Sequence, residues 1–180
     1  LSSHLEASNS KKEMILIVSP AFVKENTVLH YNVDDGYLKP LIDSIQNTFV
    51  RPILGSALFD EILAQIQAGT VTSLNETLIK EYIRDALKWE VCHKYTRIGT
   101  YKVTNKGAGT RSGDNFSTLS ETELVTAKNI FKDNADFYRK KLQLFLKTNE
   151  NDYLLYKNPP NGDDVVRPEQ NVQWRSQFII

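Results

Sequence analysis

The chain has 180 residues, of which 41% are hydrophobic, 10% aromatic and 24% charged, a composition that excludes a wholly disordered or collagen-like protein. This length suits one domain with a hydrophobic core, and the equal numbers of basic and acidic residues, 22 of each, argue against a protein whose main task is to coat nucleic acid. No apolar run approaches the roughly 18 residues of a membrane-spanning helix, and the single cysteine, Cys92, excludes an internal disulfide, so we expect a protein made in the cytoplasm.

The N-terminal region predicts little regular structure. Residues 1–13 are mostly small, polar or charged without periodicity, which is typical of a mobile arm. Between residues 14 and 31, apolar stretches are interrupted by Pro20 and by polar side chains, a pattern that favours an irregular or partly extended segment. We therefore expect the helical domain to begin at residue 32.

Two helices are predicted next, separated by a proline and a glycine. The first has Pro40 near its first turn and apolar residues at spacings of three and four: Leu38, Leu41, Ile42, Ile45 and Phe49. Pro52 then interrupts the regular hydrogen-bond ladder, Gly55 permits a left-handed turn, and Ser56 is suited to cap the second helix. The apolar residues of that second helix are Leu58, Ile62, Leu63 and Ile66.

Two capping boxes introduce the two longest predicted helices. The first box, Ser-Leu-Asn-Glu at residues 73–76, opens a helix that reaches about Ile98. The second, Ser-Glu-Thr-Glu at residues 120–123, opens a helix with acidic residues at its start and lysines at its end, as the helix dipole favours. Its periodic apolar residues are Leu124, Ile130, Phe131, Tyr138, Leu142, Phe145 and Leu146.

The segment between the long helices, residues 99–119, has a different composition. Tyr101, Val103 and Thr104 favour a strand, and glycines provide turns, which predicts a β-hairpin or flexible loop projecting from two antiparallel helices. After Asn149 the helical pattern stops, and prolines predict an extended C-terminal arm over residues 151–180. The predicted fold is mainly α: an antiparallel helical bundle over residues 32–150, with this hairpin or loop and this arm.

The search for catalytic and metal-binding motifs predicts neither an enzyme nor a cofactor. The glycine-rich residues 107–113 lack the Gly-Lys-Ser/Thr ending of a phosphate-binding loop. His4, His30 and His93 have no metal-ligand spacing with each other or with Cys92, and adjacent helix residues such as Cys92 and His93 do not face one another. We therefore predict no catalytic residue and no metal.

Two features remain as candidates for function. The first is a basic segment without any acidic residue between Glu90 and Asp114, which contains Lys94, Arg97, Lys102, Lys106 and Arg111. This segment is either a solvated loop or a surface that faces a polyanion or an acidic partner.

The second feature is the apolar end of the predicted arm, formed by Trp174, Phe178, Ile179 and Ile180. Burying each such side chain contributes about 1.5–3 kcal/mol, and leaving them in water favours aggregation. The arm therefore either folds onto its own domain or docks into a neighbouring subunit or another partner.

Three segments resemble one protein family. Residues 45–63, IQNTFVRPILGSALFDEIL, preceded by NVDDGYLKPLI at residues 32–42, resemble the signature I-x-P-L-L-G-x-x-L-Y-x-x-L of a phage and prophage family common in Bacteroidota. Residues 103–107, VTNKG, are similar to its I-T-N-x-G turn, and residues 137–149 resemble its later helix. That family, catalogued as a domain of unknown function, looks like the head–tail connector, or adaptor, proteins of tailed phages. Phe59 stands where the family more often has Tyr.

The resemblance implies a non-enzymatic virion protein that forms a ring of about twelve copies beneath the portal, where the genome passes through the centre. Its implied partners are the portal protein, the next connector or tail protein, and DNA held weakly during packaging and ejection, with no membrane. Lys102, Lys106 and Arg111 are then candidates for the lumen or for a ring contact, and the four apolar arm residues for docking. The structural motif comprises Pro52, Gly55, Ser56, Phe59, Asn105 and Gly107.

An alternative hypothesis is a small helical nucleic-acid-binding or regulatory protein that uses the basic hairpin. The neutral overall charge and the lack of a helix-turn-helix signature disfavour it.

Overall fold

The computed structural model describes residues 14–98, 101–104, 107–110, 121–160 and 165, and this part of the chain is mainly helical, as predicted. The helices are α1 (Pro20–Glu25), α2 (Asp35–Ile45), α3 (Arg51–Leu54), α4 (Ser56–Ala68), α5 (Ser73–Leu78), α6 (Arg84–Ile98), α7 (Glu121–Thr148) and α8 (Leu154–Lys157). Two π-helical segments, Gln46–Val50 and Ile79–Ile83, join α2 to α3 and α5 to α6. Strands β1 (Tyr101–Thr104) and β2 (Gly107–Thr110) pair antiparallel, with Tyr101 opposite Thr110.

Residues 14–31 belong to the folded domain. Ser19 Oγ accepts a hydrogen bond from the Phe22 amide (3.1 Å), and Pro20 occupies the first turn of α1, where its fixed φ angle favours a helix. The expectation that Pro20 only interrupts an irregular segment was therefore wrong. Ile17, Val18 and Val23 are buried in the common core, so the domain starts earlier than residue 32. The predicted arm at residues 1–13 lies outside the described residues.

A buried glutamine side chain fixes the extended residues before α1. Gln46 Oε1 accepts a hydrogen bond from the Ile17 amide (3.1 Å), and Gln46 Nε2 donates to the Ile15 carbonyl oxygen (2.7 Å). Gln46 is fully buried. Because a buried amide without partners is costly, these two bonds hold the N-terminal segment against the end of α2.

The helix continues through Pro52 instead of stopping before it. Proline lacks an amide hydrogen, and its ring collides with the carbonyl four residues earlier in a regular α-helix. The π-helical segment ends at Val50, two residues before Pro52, and the Arg51 amide bonds to the Gln46 carbonyl oxygen, five residues back. The sequence correctly predicted an interrupted α-helical ladder, but the wider π-type turn keeps the backbone helical to Leu54.

Gly55 makes the sharp turn between α3 and α4. Its φ of 78° and ψ of 153° differ from the predicted left-handed helical turn and lie in a region that only glycine adopts without strain. Ser56 is the first residue of α4, so it does not supply the predicted cap. Its Oγ atom instead accepts a hydrogen bond from Arg51 Nε (3.1 Å).

Arg51 and Phe59 complete this corner. The Arg51 guanidinium lies 5.5 Å from the centre of the Phe59 ring and also pairs with Asp60 across 3.1 Å. Phe59 itself is fully buried, as its place in the motif predicted. The residues of the motif from 52 to 59 therefore build a packed corner between two helices.

The residue that caps α5 lies one position before Ser73, the cap that the sequence predicts. Thr72 is the cap, and its Oγ1 atom accepts from the Asn75 amide (3.3 Å), whereas Ser73 is already helical. The buried Asn75 side chain donates to Gln65 Oε1 (2.9 Å) and thereby ties α5 to α4. The other predicted box precedes α7, but Ser120 lies outside the described residues.

The last described residues return to the core. Tyr153, Tyr156 and Val165 are buried, and the Tyr153 hydroxyl donates to the Leu74 carbonyl oxygen (3.1 Å). Tyr153 also meets the Phe145 ring edge-on at 5.9 Å. The extended arm therefore does not begin at residue 151, because the next ten residues include α8 and are packed on the domain.

Replacing Gly55 with alanine should lower the free energy of unfolding by about 1–3 kcal/mol, because a Cβ atom is strained at this φ and ψ. Gly69→Asn is the matched control, since Gly69 has left-handed helical angles and open space at its Cβ position. Urea denaturation measures both variants. An equal loss in both would contradict a special role for the Gly55 turn.

Ionisation of the Tyr153 hydroxyl should lower the stability of the protein at high pH. Burial, with smaller contributions from Asp152 and Tyr82, raises the pKa of Tyr153 from 10.0 to about 12. The stabilisation of the neutral phenol is fully present below about pH 10 and is lost as the pH rises through about 12. Urea titrations at about pH 9 and about pH 11 should therefore show a steeper decline for the wild type than for Tyr153→Phe; parallel declines would contradict this assignment.

Candidate functional site

In the structure, one cation of the basic segment is paired with an acidic side chain, which lowers the net positive charge of that segment. Lys94 Nζ lies 3.2 Å from Glu90 Oε1, four residues earlier on α6, so this cation has a partner. Arg97 is exposed near the end of α6. Glu90 lies just before the basic segment, and its four-residue spacing from Lys94 is the sequence signal of a helical ion pair.

The predicted lumen residues are only partly described. Lys102 lies in β1, and Gly107 is the first residue of β2. Lys106, Arg111 and Asn105 lie outside the described residues, as do the arm residues Trp174, Phe178, Ile179 and Ile180. The described residues thus include both strands of the candidate hairpin. Of the three predicted cations, only Lys102 is among them.

Glu90 also contacts His93 inside the protein. His93 Nδ1 lies 3.2 Å from Glu90 Oε2, and both residues are buried. An ionised carboxylate accepts hydrogen bonds only, so we assign the proton of this contact to Nδ1. Glu90 therefore joins a buried imidazole and a partly exposed ammonium group at the base of the basic segment.

Cys92 is buried beside this cluster on α6. Burial raises the pKa of the Cys92 thiol, and a smaller opposing effect comes from a hydrogen bond with Thr27. Because the thiolate is the nucleophilic form, this environment keeps the Cys92 side chain unreactive at neutral pH. The neighbouring His93 side chain contacts Glu90.

A cleft of about 340 Å³ lies between the N-terminal segment and helices α4 to α6. Its floor is apolar and contains Leu16, Ile66 and Ile79. The Arg84 side chain lines the cleft, lies 5.3 Å from the Phe22 ring centre, and has a buried Nε atom without a hydrogen-bond partner. Lys80 lowers the pKa of the neighbouring Glu76 at the rim. The cleft thus combines an apolar floor with a charged rim.

Within the described ranges, no group of three or more His, Cys, Asp or Glu side chains could hold a metal ion. His30 Nδ1 accepts from the Asn32 amide (3.1 Å), and His4 lies outside these ranges.

None of the helices in the described part of the chain is both long enough and apolar enough to cross a membrane.

The outer face of α7 carries an apolar stripe that sequence reasoning missed. We call Ile130, Phe137 and Leu144 the α7 stripe; they are 53%, 63% and 64% exposed. Ile130 is one of the periodic apolar residues that predict this helix, yet it is half-exposed. The seven-residue spacing was the available signal, because residues seven apart lie nearly in line along an α-helix.

Three further exposed apolar side chains lie in the connection between α1 and α2 and in the first turn of α2. We call Val28, Tyr31 and Tyr37 the loop patch; they are 69%, 67% and 50% exposed. Single exposed apolar residues are common on protein surfaces.

The comparison with protein families gives one match. The model described as "Family of unknown function (DUF6712)" matches residues 50–165, more than half of the chain. The chain belongs to this family. Neither curated proteins nor solved structures gave a match.

The DUF6712 region runs from the first π-helical segment to the buried Val165, and it contains the Gly55 corner, the Glu90 cluster and the α7 stripe. It leaves out α1 and α2, although Val23, Leu38 and Ile42 are part of the same core. The loop patch therefore lies outside the family region, on elements that the core nevertheless requires.

Glu90→Ala should lower the free energy of unfolding by about 1–3 kcal/mol, because it leaves the buried His93 nitrogen without a partner. Lys94→Ala should cost less than about 1 kcal/mol, since its ammonium group is partly exposed to solvent. Urea denaturation distinguishes the two losses. A Glu90 variant that is no less stable than the Lys94 variant would show that the carboxylate does not support His93.

Proposed function

We propose that this DUF6712 protein is a non-enzymatic virion protein, the head–tail connector subunit of a tailed phage. The observation that carries the proposal is the resemblance of residues 45–63 to the connector-like family signature. In the structure, part of this segment forms the corner at Gly55, where Phe59 and Leu54 are fully buried. The resemblance thus involves residues that the fold depends on.

The proposed subunit is an antiparallel bundle in which α6 and α7 are the long helices. Their packing includes stacking of Trp89 against Phe131 at 6.1 Å and of Tyr82 against Phe145 at 3.9 Å. The paired strands β1 and β2 lie between these helices in sequence and form the proposed projecting hairpin. The proposed docking contacts to a neighbouring subunit or the portal are Trp174, Phe178, Ile179 and Ile180, which lie outside the described residues.

The proposed ring contains about twelve copies and surrounds the genome. Passing DNA has to be held weakly, because each released counterion adds to affinity and would resist sliding. A charge-balanced chain with a few cations on one hairpin fits this requirement, and the pairing of Lys94 with Glu90 reduces the local charge further. The same pairing disfavours the alternative nucleic-acid-binding regulator.

Electron microscopy of the purified protein, alone and with portal protein, tests this proposal. We expect closed rings of about twelve subunits that stack on the portal, and weak binding of duplex DNA by the isolated subunit. A protein that remains monomeric and binds DNA tightly, with an affinity that falls steeply as salt increases, would instead support the regulator.

A further inference from the structure

The cleft between the N-terminal segment and helices α4 to α6 has the size of a site for a small molecule. Its volume of about 340 Å³ lies near the lower end of the range of small-molecule sites, roughly 300–1,000 Å³. The described residues that line it are aliphatic apart from Glu76, Lys80 and Arg84. Such a cleft can enclose an apolar ligand body and leaves recognition of a polar group to these three side chains.

A π-helical segment brings a cation to the aliphatic floor. The Arg84 amide donates to the carbonyl oxygen of Ile79, five residues earlier. In a regular α-helix, residues five apart point about 140° away from each other, whereas a π-type turn places them nearly in line. Ile79 and Arg84 accordingly line the same cleft. Isolated π-type turns of this kind are frequent at functional sites.

Arg84 has a hydrogen-bond donor that the described part of the chain leaves unused. Its Nε atom is buried and has no hydrogen-bond partner among the described residues. The Phe22 ring, centred 5.3 Å from the guanidinium, attracts the cation but offers no oxygen acceptor. Because buried N–H groups in proteins nearly always have an acceptor, this donor indicates a ligand oxygen.

The charges that line the cleft leave one positive charge unbalanced. Lys80 is paired with Glu76 at the rim. Arg84 makes only a minor contribution to the lowered pKa of Glu76, whose main cause is Lys80. Of the two acids nearest to Arg84 in the sequence, Glu81 does not line the described cleft, and Asp85 is paired with a lysine on α6 across 2.6 Å. The cleft is therefore complementary to a ligand with a single negative charge.

The main chain around the floor favours an aliphatic ligand over a peptide. Gln46 already bonds to the amide of Ile17 and the carbonyl oxygen of Ile15, and the Thr72 amide bonds to Gln65 Oε1. A peptide against this floor would bury its own amide and carbonyl groups without these partners, which is costly. A hydrocarbon chain has no such groups.

We propose that this cleft binds a small aliphatic carboxylate, with its hydrocarbon chain against Leu16, Ile66 and Ile79 and its carboxylate on Arg84. A guanidinium group binds a carboxylate through two parallel N–H donors. Arg84 is partly exposed, so its guanidinium can turn toward the ligand and use Nε as one of these donors. The site goes beyond the proposed function, because neither ring formation nor the passage of DNA requires it.

Octanoate is the probe for this site, and isothermal titration calorimetry measures its affinity for the whole chain. Octanol has the same hydrocarbon chain without the charge, and acetate has the charge without the chain. Both should bind at least about tenfold more weakly than octanoate, since each lacks one half of the recognition. In NMR spectra, octanoate should shift the methyl resonances of Ile17, Ile66 and Ile79.

Arg84→Gln should weaken octanoate binding at least about tenfold and leave octanol binding unchanged, because it removes the charged hydrogen bonds only. Arg139→Gln is the matched control: it makes the same change on α7, where Arg139 pairs with Asp136 across 2.7 Å outside the cleft. Its octanoate affinity should equal that of the wild type. Val71→Trp fills the cleft without changing Arg84, and it should abolish the octanoate-induced methyl shifts.

Several results would overturn this site: a wild type that does not bind octanoate, equal affinities for octanoate and octanol, or an Arg84→Gln variant that binds octanoate as tightly as the wild type. Tighter binding of the dipeptide leucyl-leucine than of octanoate would indicate a peptide carboxylate and also contradict the proposal. The proposed function fails separately. Octanoate binding by a chain that forms no rings would support the site and contradict the connector function.

Discussion

The fold depends on covering α6 from two sides. α6 contacts α2 on one side and α7 along another, and its residues Leu87 and Val91 are completely buried between them. A helix with apolar groups on more than one face cannot be stabilised by one neighbour alone, since the hydrophobic effect favours removing all of that surface from water. The first helices and the long C-terminal helix are therefore parts of one core, although they are far apart in the sequence.

Buried polar side chains then determine how the peripheral segments attach to this core. Gln46 bonds to the main chain of Ile15 and Ile17, Asn75 bonds to Gln65, and the Tyr153 hydroxyl bonds to the Leu74 carbonyl oxygen. Each bond joins elements that hydrophobic contacts could also bring together in other registers. Because a buried polar group without a partner is costly, these bonds select one arrangement among several compact ones.

The same packing leaves two groups of apolar side chains, the α7 stripe and the loop patch, exposed to solvent. The inner face of α7 packs on the core, and no helix of the described chain covers its outer face. The loop before α2 has internal hydrogen bonds, but its Val28 and Tyr31 side chains are exposed to solvent. The buried and the exposed apolar side chains of α7 thus lie on opposite faces of the same helix.

The sequence alone determined the features that depend on local geometry. Apolar spacing predicted the helical regions, Gly55 marked the turn that needs a glycine, and the resemblance pointed to the segment around Phe59 that proves to be buried. The sequence analysis also missed two local caps: Ser19 caps the helix that begins at Pro20, and Thr72 replaces Ser73 as the cap of the helix that begins at Ser73. Neither Gln46 nor Glu90 was recognisable as a buried contact, since their roles follow from contacts formed on folding.

Only the tertiary structure could divide the α7 apolar residues into those that face the core and those that face solvent. Ile130 and Leu142 both fit a helical pattern, yet one is half-exposed and the other is fully buried. Sequence spacing gives the angle between side chains around a helix, but not the direction from which the neighbouring helix approaches. That direction is set when α6 is covered by α7, and it determines which apolar side chains remain exposed to solvent.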